Sequence, residues 1–265
     1  MKLGIIGCGN MGSALARGIL STRLLQFNSI YISDKDSGRT RALSKKLGMR
    51  VSTNKETVKK SNFIIIAVKP QDAKRLLASI SEDLDQSKHL VSIMAGVSIK
   101  KIESFINKKV AITRAMPNLT ALAGKSITCL SHNRMVKNKA FTQKIFSSVG
   151  SVIEIEEKHM DAVTAVSGSG PAYFLYLAEC LAEAAVKLGI KREKAVELAA
   201  ATLFGSGALL EALDVSPEVL RKRITSKKGT TEAALSVLKS KNFKGAVIEA
   251  VKAASARSKE LSKGA

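Results

Sequence analysis

Tryptophan is absent, tyrosine and cysteine occur three times each and proline four times in 265 residues. An odd set of cysteines, Cys8, Cys129 and Cys180, without metal-ligand spacing argues against a disulfide framework or a structural zinc site. A reducing, cytoplasmic setting is expected. No run approaches the roughly 18 to 20 apolar residues of a membrane span, and Met1-Lys2-Leu3-Gly4-Ile5-Ile6-Gly7 breaks at glycine too early for a signal-peptide core. Neither secretion nor a membrane partner is expected. Acidic residues are scarce as well, 22 against 43 Lys and Arg, for a net charge of +21 that sits mainly in the first 160 residues. Such a balance would suit nucleic acid, but the lysines are scattered through amphipathic stretches and no aromatic-rich basic stripe accompanies them. A solvated lysine-rich surface, with no nucleic-acid partner, is the expectation.

What is present is organised in two textures. From residue 2 to about 155, short β-branched runs alternate with helical patterns, the signature of parallel βαβ units wound into one sheet. The strand candidates are Lys2–Ile6, Ser29–Ser33, Asn62–Val68, Leu90–Met94, Val110–Arg114, Ser126–Leu130 and Val152–Ile155. The third is apolar on both alternating faces and reads as a central strand covered by helices above and below. Beyond residue 160 almost no β-rich run occurs, and Ala- and Leu-rich stretches read as successive helices. The expected fold class is therefore α/β, with a doubly wound N-terminal domain at 1–160 and an all-α domain at 161–265. The second is too apolar for so small a soluble unit, so part of it is expected to pack on another subunit.

Gly7-Cys8-Gly9-Asn10-Met11-Gly12 follows the first strand and opens a helical stretch, which places all three glycines of a dinucleotide fingerprint in their required context. Gly7 makes the tight turn, Gly9 leaves room for a pyrophosphate, and Gly12 lets helix and strand approach. The helix's free N–H groups then face the diphosphate. Asp34 ends the second strand, where a carboxylate commonly bonds a ribose 2′-hydroxyl and favours NAD. Lys35 and Arg39 beside it suit a 2′-phosphate instead. NADH and NADPH both stay open.

Further motifs are Ala67-Val68-Lys69-Pro70, Ala95-Gly96-Val97, Arg114-Ala115-Met116-Pro117-Asn118, Val166-Ser167-Gly168-Ser169-Gly170-Pro171-Ala172-Tyr173, Gly229-Thr230-Thr231 and the ending Glu260-Leu261-Ser262-Lys263. In this order and spacing they closely resemble pyrroline-5-carboxylate reductase, across essentially the whole chain. The resemblance implies a Rossmann domain, a helical domain that interleaves with its partner in a homodimer, and in many members a ring of five dimers. It also implies reduction of the cyclic imino acid 1-pyrroline-5-carboxylate to L-proline by NADPH or NADH. By position, the family's cofactor contacts fall on Ile6, Gly7, Cys8, Gly9, Asn10, Met11 and Gly12, on Asp34 and Asn54, on Val68 and Lys69, and on Ala95. Its substrate contacts fall on Glu157, Arg223, Ser226, Gly229, Thr230 and Thr231, with Thr231 as the catalytic position. Many members carry Ser-Pro-Gly-Gly where this chain has Ser226-Lys227-Lys228-Gly229, an Asn at Arg223, and a small polar residue at Asp34.

An imine needs little beyond a well-placed hydride donor, so neither a metal nor a covalent nucleophile is expected. A helix starting at Gly229-Thr230-Thr231-Glu232 would offer its first N–H groups and the Thr231 hydroxyl to a carboxylate. On sequence alone Glu157 reads as one exposed acid among Glu154, Glu156 and Glu157. His89 begins a strand, His132 falls in a turn, His159 follows a charged stretch, and none of them makes a case for acid-base work. Cys8 is assigned to packing, and the glycines of Ser167–Pro171 to a bend or close helix contact. Two other classes share parts of this pattern: a β-hydroxyacid dehydrogenase with Lys187 as its lysine, and a nonenzymatic nicotinamide sensor.

Overall fold

The structure, a computed structural model, describes residues 1–264, with side chains through Ser262. Among these residues one sheet contains β1 (Leu3–Ile6), β2 (Ile30–Ser33), β3 (Arg50–Val51), β4 (Phe63–Ile66), β5 (His89–Ser92), β6 (Ala111–Met116), β7 (Ser126–His132) and β8 (Gly150–Glu154). Their order is β3-β2-β1-β4-β5-β6-β7-β8. The helices are α1 (Asn10–Ser21), α2 (Ser37–Leu47), α3 (Asn54–Lys60), α4 (Ala73–Ile80), α5 (Ile99–Ile106), α6 (Ala140–Ser147), α7 (Met160–Val163), α8 (Gly170–Lys187), α9 (Arg192–Leu213), α10 (Pro217–Arg223), α11 (Thr230–Ser240) and α12 (Phe243–Gly264).

The sheet is mostly, not wholly, parallel. β7 runs antiparallel to β6, and β8 follows β7 in parallel. The link from Met116 to Ser126 holds only a short 3₁₀ turn, Leu119–Ala123, too little chain for a parallel crossover, which takes a dozen residues or more. The chain therefore turns back on itself there. β3 escapes the sequence pattern because it is an exposed two-residue edge, defined by pairing with Tyr31 and Ile32 rather than by an apolar run.

Alternation along the central strands divides the core between two faces. Leu3, Ile5 and Ile65 join Leu15 and Ile19 of α1 and Phe146 of α6 on one side. Ile6, Ile64 and Ile66 join Leu77 and Ile80 of α4 and Ile102 of α5 on the other. Truncating such a buried isoleucine to alanine costs about 2 to 5 kcal/mol. Two short helices are fixed by local chemistry at their starts. Thr53 and Glu56 form a capping box at α3, and the Ser98 hydroxyl accepts from the Lys101 N–H at α5.

The chain forms two compact units, residues 1–169 with the segment from Ala254 onward, and Gly170–Ala253. The composition changes at 160, yet α7 stays with the first unit because Met160 and Val163 pack with Cys129, Met116 and Ile155. Thr164–Gly168 then makes a π-helical turn, where the Asn118 amide donates to the Ser167 carbonyl at 3.0 Å. A Cβ on Gly168 would lie 2.8 Å from the Met116 methyl, so this glycine serves close packing.

In the second unit α8 and α9 meet through Ala182, Ala195 and Ala199, small residues that let helix axes approach. Little else is buried there: Phe174, Leu175, Tyr176, Leu188 and Phe204 are 61% to 84% exposed. The expectation that no segment reaches membrane-spanning length and apolarity fails at one place. α9 does so by length and composition, because alanine and glycine raise its apolar character without long side chains.

His132 lies at the end of β7 rather than in a turn. Its Nδ1 and the Nε2 of buried His89 each sit 2.8 Å from the Thr113 hydroxyl, so one threonine bridges two rings. Burial first, and then the neighbouring His132, pushes His89 down to about 4 from 6.5. The unfolded chain thus binds a proton between these values that the folded chain refuses. The resulting stability, about 3 kcal/mol, is complete above pH 6.5 and lost on acidification toward pH 4. Thermal unfolding should therefore fall between pH 7 and pH 4.5, and a His89→Asn variant should show a weaker pH dependence; equal slopes would contradict this.

Candidate active site

The carboxyl ends of β1, β2 and β4 surround a cavity of about 1030 Å³ in the first unit. It sits where the strand order reverses, between β1 and β4, the place where open α/β sheets bind ligands. Ile6 to Met11, Asp34, Asn54, Val68 and Lys69 line it. Gly12 and Ala95 do not.

The glycine turn explains the cavity's floor. The Gly7 N–H donates to the Ser33 carbonyl and the Ala67 N–H to the Ile6 carbonyl, tying the turn to β2 on one side and to the loop after β4 on the other. Gly7 has φ +106°, and a Cβ there would meet the Ala67 carbonyl at 2.5 Å. A Cβ on Gly12 would run into the Gly7 carbonyl, so Gly12 acts beneath the cavity by letting α1 press on the turn. Gly9 is different: a Cβ would approach only Arg39 Nη1, at 3.9 Å, so the volume above its backbone is open. Gly9 is also the N-cap of α1 and has no capping side chain. The first N–H groups of α1 are thus free for an anion, and a dinucleotide diphosphate fits this cradle.

Asp34 does not project freely. Its Oδ2 accepts from the Cys8 N–H at 2.6 Å and its Oδ1 from the Asp36 N–H at 2.8 Å. The carboxylate therefore clamps the glycine loop to the end of β2. Asp72, also on the wall, pairs with Lys35 at 3.0 Å and Arg75 at 3.6 Å, and the Lys35 hydrogen bond above all holds its carboxyl below the usual range. Arg17, Lys35, Arg39, Lys69 and Arg75 stand against the two acids Asp34 and Asp72, so the cavity wall carries net positive charge even with Lys35 and Arg75 paired to Asp72. Sequence reasoning missed Ser13, Arg17, Asp72, Arg75, Leu76 and Ser79 as lining residues. The available signal was Arg17 lying one helical turn beyond Ser13 on α1, and the helix start after Lys69-Pro70.

The remaining candidates separate. Glu157 opens a 3₁₀ turn of the first unit and is not a free surface acid, since its Oε1 accepts from the Ile99 N–H at 2.7 Å and from buried Arg114 at 3.3 Å. In the second unit, Arg223 ends α10, Gly229 is the N-cap of α11, and Thr230 and Thr231 form its first turn. Gly229 N–H donates to the Ser226 carbonyl, and Lys228 N–H donates to Glu232 Oε2 at 2.7 Å. Lys228 takes φ +60°, a conformation that glycine adopts at no cost. A hollow of about 540 Å³ lies here, lined by Thr225, Lys228, Gly229, Glu232 and one face of α11. Of the predicted substrate positions, Gly229 alone lines it. Among the described residues no His, Cys, Asp and Glu cluster could hold a metal.

Residues 157–261 match the family model described as pyrroline-5-carboxylate reductase dimerisation, and residues 2–96 match NADP oxidoreductase, coenzyme F420-dependent. A pyrroline-5-carboxylate reductase of Synechocystis sp. is 39% identical over 99% of both chains. The chain belongs to the pyrroline-5-carboxylate reductase family. Two solved reductases of the family share its fold. That of Plasmodium falciparum, with NADP bound, is 34% identical with TM-score 0.86, covering 99% of this chain and 98% of that one. That of Coxiella burnetii is 31% identical with TM-score 0.93 over 98% of each. The exposed apolar surface of the second unit accordingly belongs to a dimerisation domain.

Cys8 carries no reactive thiolate. Burial, reinforced by the Asp34 carboxylate, pushes its thiol up to about 12, and the sulfur packs against the Ser33 carbonyl. Alkylation with iodoacetamide at pH 8 should leave Cys8 unmodified by peptide mass mapping; its rapid modification would contradict the assignment to packing.

Proposed function

We propose that the chain reduces 1-pyrroline-5-carboxylate to L-proline with NAD(P)H, the last step of proline biosynthesis. The observation that carries this reading is the cationic glycine-loop cavity in a chain matching reductases of this name over its whole length. Bound NAD(P)H supplies the hydride for the C=N bond. Ile6 to Met11 and the start of α1 would hold its diphosphate, Asn54, Lys35 and Arg39 its adenosine end, and Val68 and Lys69 the side toward the nicotinamide; Ala95, outside the cavity lining, joins that side by the family resemblance alone. Arg39 and Lys35 suit a 2′-phosphate, and Asp34 faces the loop, so NADPH and NADH are both accommodated.

The chain's own residues have two tasks in this scheme: to align the imine and to hold its carboxylate. Gly229 caps α11 without a side chain, which leaves the first-turn N–H groups and the Thr231 hydroxyl for that carboxylate. Arg223, Lys227 and Lys228 add positive potential along its approach. Glu157 and Ser226 support this reading from the family resemblance, and the Glu157 bonds to Ile99 and Arg114 give it a place in holding the loop after β5. The same proposal assigns 1–160 to dinucleotide binding and 161–265 to dimerisation and substrate, with homodimers that assemble into rings of five, in the cytoplasm.

Steady-state assays with pyrroline-5-carboxylate should show oxidation of NADPH and of NADH; binding of either without turnover would favour a nicotinamide sensor. Because Asp34 clamps the Cys8 N–H, Asp34→Ser should weaken both dinucleotides by about 5-fold or more, as expected for a lost charged hydrogen bond. A gain selective for NADPH would instead make Asp34 a repeller of 2′-phosphate.

A further inference from the structure

The loop after β5, Ile93 to Ser98, has few and long local hydrogen bonds, from the Met94 N–H to the Ser92 hydroxyl at 3.3 Å and from the Val97 N–H to the Met94 carbonyl at 3.5 Å. Its shape is set by remote segments. At one end the Ile93 N–H donates to the Ile66 carbonyl, which puts this loop beside the Ala67–Lys69 loop that lines the cavity. At the other end Glu157 accepts from Ile99. Between them stands Gly96, with φ +74°, where a Cβ would lie 3.3 Å from the backbone nitrogen and from the hydroxyl of Ser262. The last turn of α12 is thus seated on the middle of this loop.

That seat is built from specific bonds. Lys101 Nζ donates to the Ser262 carbonyl at 2.9 Å. Buried Ser258 donates to Asp161 Oδ1 at 2.7 Å, and the Ser262 hydroxyl donates to the Ser258 carbonyl at 2.9 Å. Lys101 is the third residue of α5, an end where the helix dipole disfavours a cation. Its ammonium is better placed at the C-terminal carbonyls of α12, where the dipole favours it. The placement joins two helix ends through one side chain.

We infer that Lys101 and the Ser258–Ser262 turn of α12 are positioning residues for the nicotinamide end of the cleft, acting through the Ala95-Gly96 turn. This rests on the reading of the cavity as a dinucleotide site with Val68 and Lys69 on its nicotinamide side; the turn lies outside the lining and reaches it through the Ile93 bond to Ile66, beside those residues. The opposite wall, read as the adenosine end, is built by β2, α2 and α3 and has no hydrogen bond to this turn among the described residues. Loosening the turn should therefore be felt by one half of the dinucleotide and not by the other.

The test compares full-length wild type, Lys101→Met and Ser258→Ala by calorimetric titration with NADPH, NADH and ADP-ribose, which lacks the nicotinamide. Thermal unfolding is recorded in parallel. Both variants should bind NADPH and NADH about 5- to 10-fold more weakly, the size of one ordinary hydrogen bond, with ADP-ribose affinity unchanged. Lys101→Arg, which keeps a cationic donor, should recover most of the loss. Parallel weakening of all three probes, or no change in any, overturns the proposal while leaving the dinucleotide reading intact. Wild type that binds neither NADPH nor NADH overturns both.

Discussion

The contact on which the site depends is the one between the Gly7 carbonyl and the first turn of α1. Only a residue without a Cβ fits at Gly12, and only then does the helix start lie against the end of β1. From that contact follow the direction of the free N–H groups, the open space above Gly9 and the position of the Cys8 N–H that Asp34 holds. The sheet supplies the rigid base: Ile5, Ile6, Ile65 and Ile66 are buried at the strand ends and lock the turn from below. A ligand meets backbone amides that are already oriented, so little ordering has to accompany binding.

Charge is distributed to the same purpose. The two acids of the cavity wall are both engaged, Asp34 with backbone amides and Asp72 with Lys35 and Arg75. Five cationic side chains line the cavity against these two acids, so its potential stays positive. In the second unit the ordinary solution of a buried core is absent, and apolar side chains such as Phe204 and Leu188 stand exposed on helices packed through alanine. A dimerisation domain accounts for both features at once, since the partner provides the core that one copy lacks.

Much of this was legible in the residues. β4 could be read because a continuous, mostly β-branched run apolar on both faces marks a central strand, β1 because its short apolar run leads straight into the glycine turn, and that turn because its three positions each answer a steric demand. Other features depend on partners remote in sequence. β3 exists through pairing alone, the reversal at β7 follows from the length of a link, and the engagement of Asp34 and Glu157 needs Cys8, Asp36, Ile99 and Arg114 in three dimensions. His132 looked like a turn residue because polar neighbours follow it, whereas its bond to Thr113 keeps it in the strand. The seat of α12 on Gly96 spans more than 160 residues of sequence, and no local pattern announces it.

The central claim is that two anion sites are built into the backbone, one for a dinucleotide diphosphate on the glycine turn and α1 of the first unit, the other for the carboxylate of a small cyclic acid at the start of α11 in the second. A crystal structure of the assembled protein with NADP⁺ and L-proline tests it most directly. The account predicts the NADP⁺ diphosphate on the Gly9 end of α1 and the proline carboxylate on the Thr230–Thr231 amides and the Thr231 hydroxyl. Proline bound away from the start of α11, or a diphosphate bound away from Gly9 and α1, would contradict it.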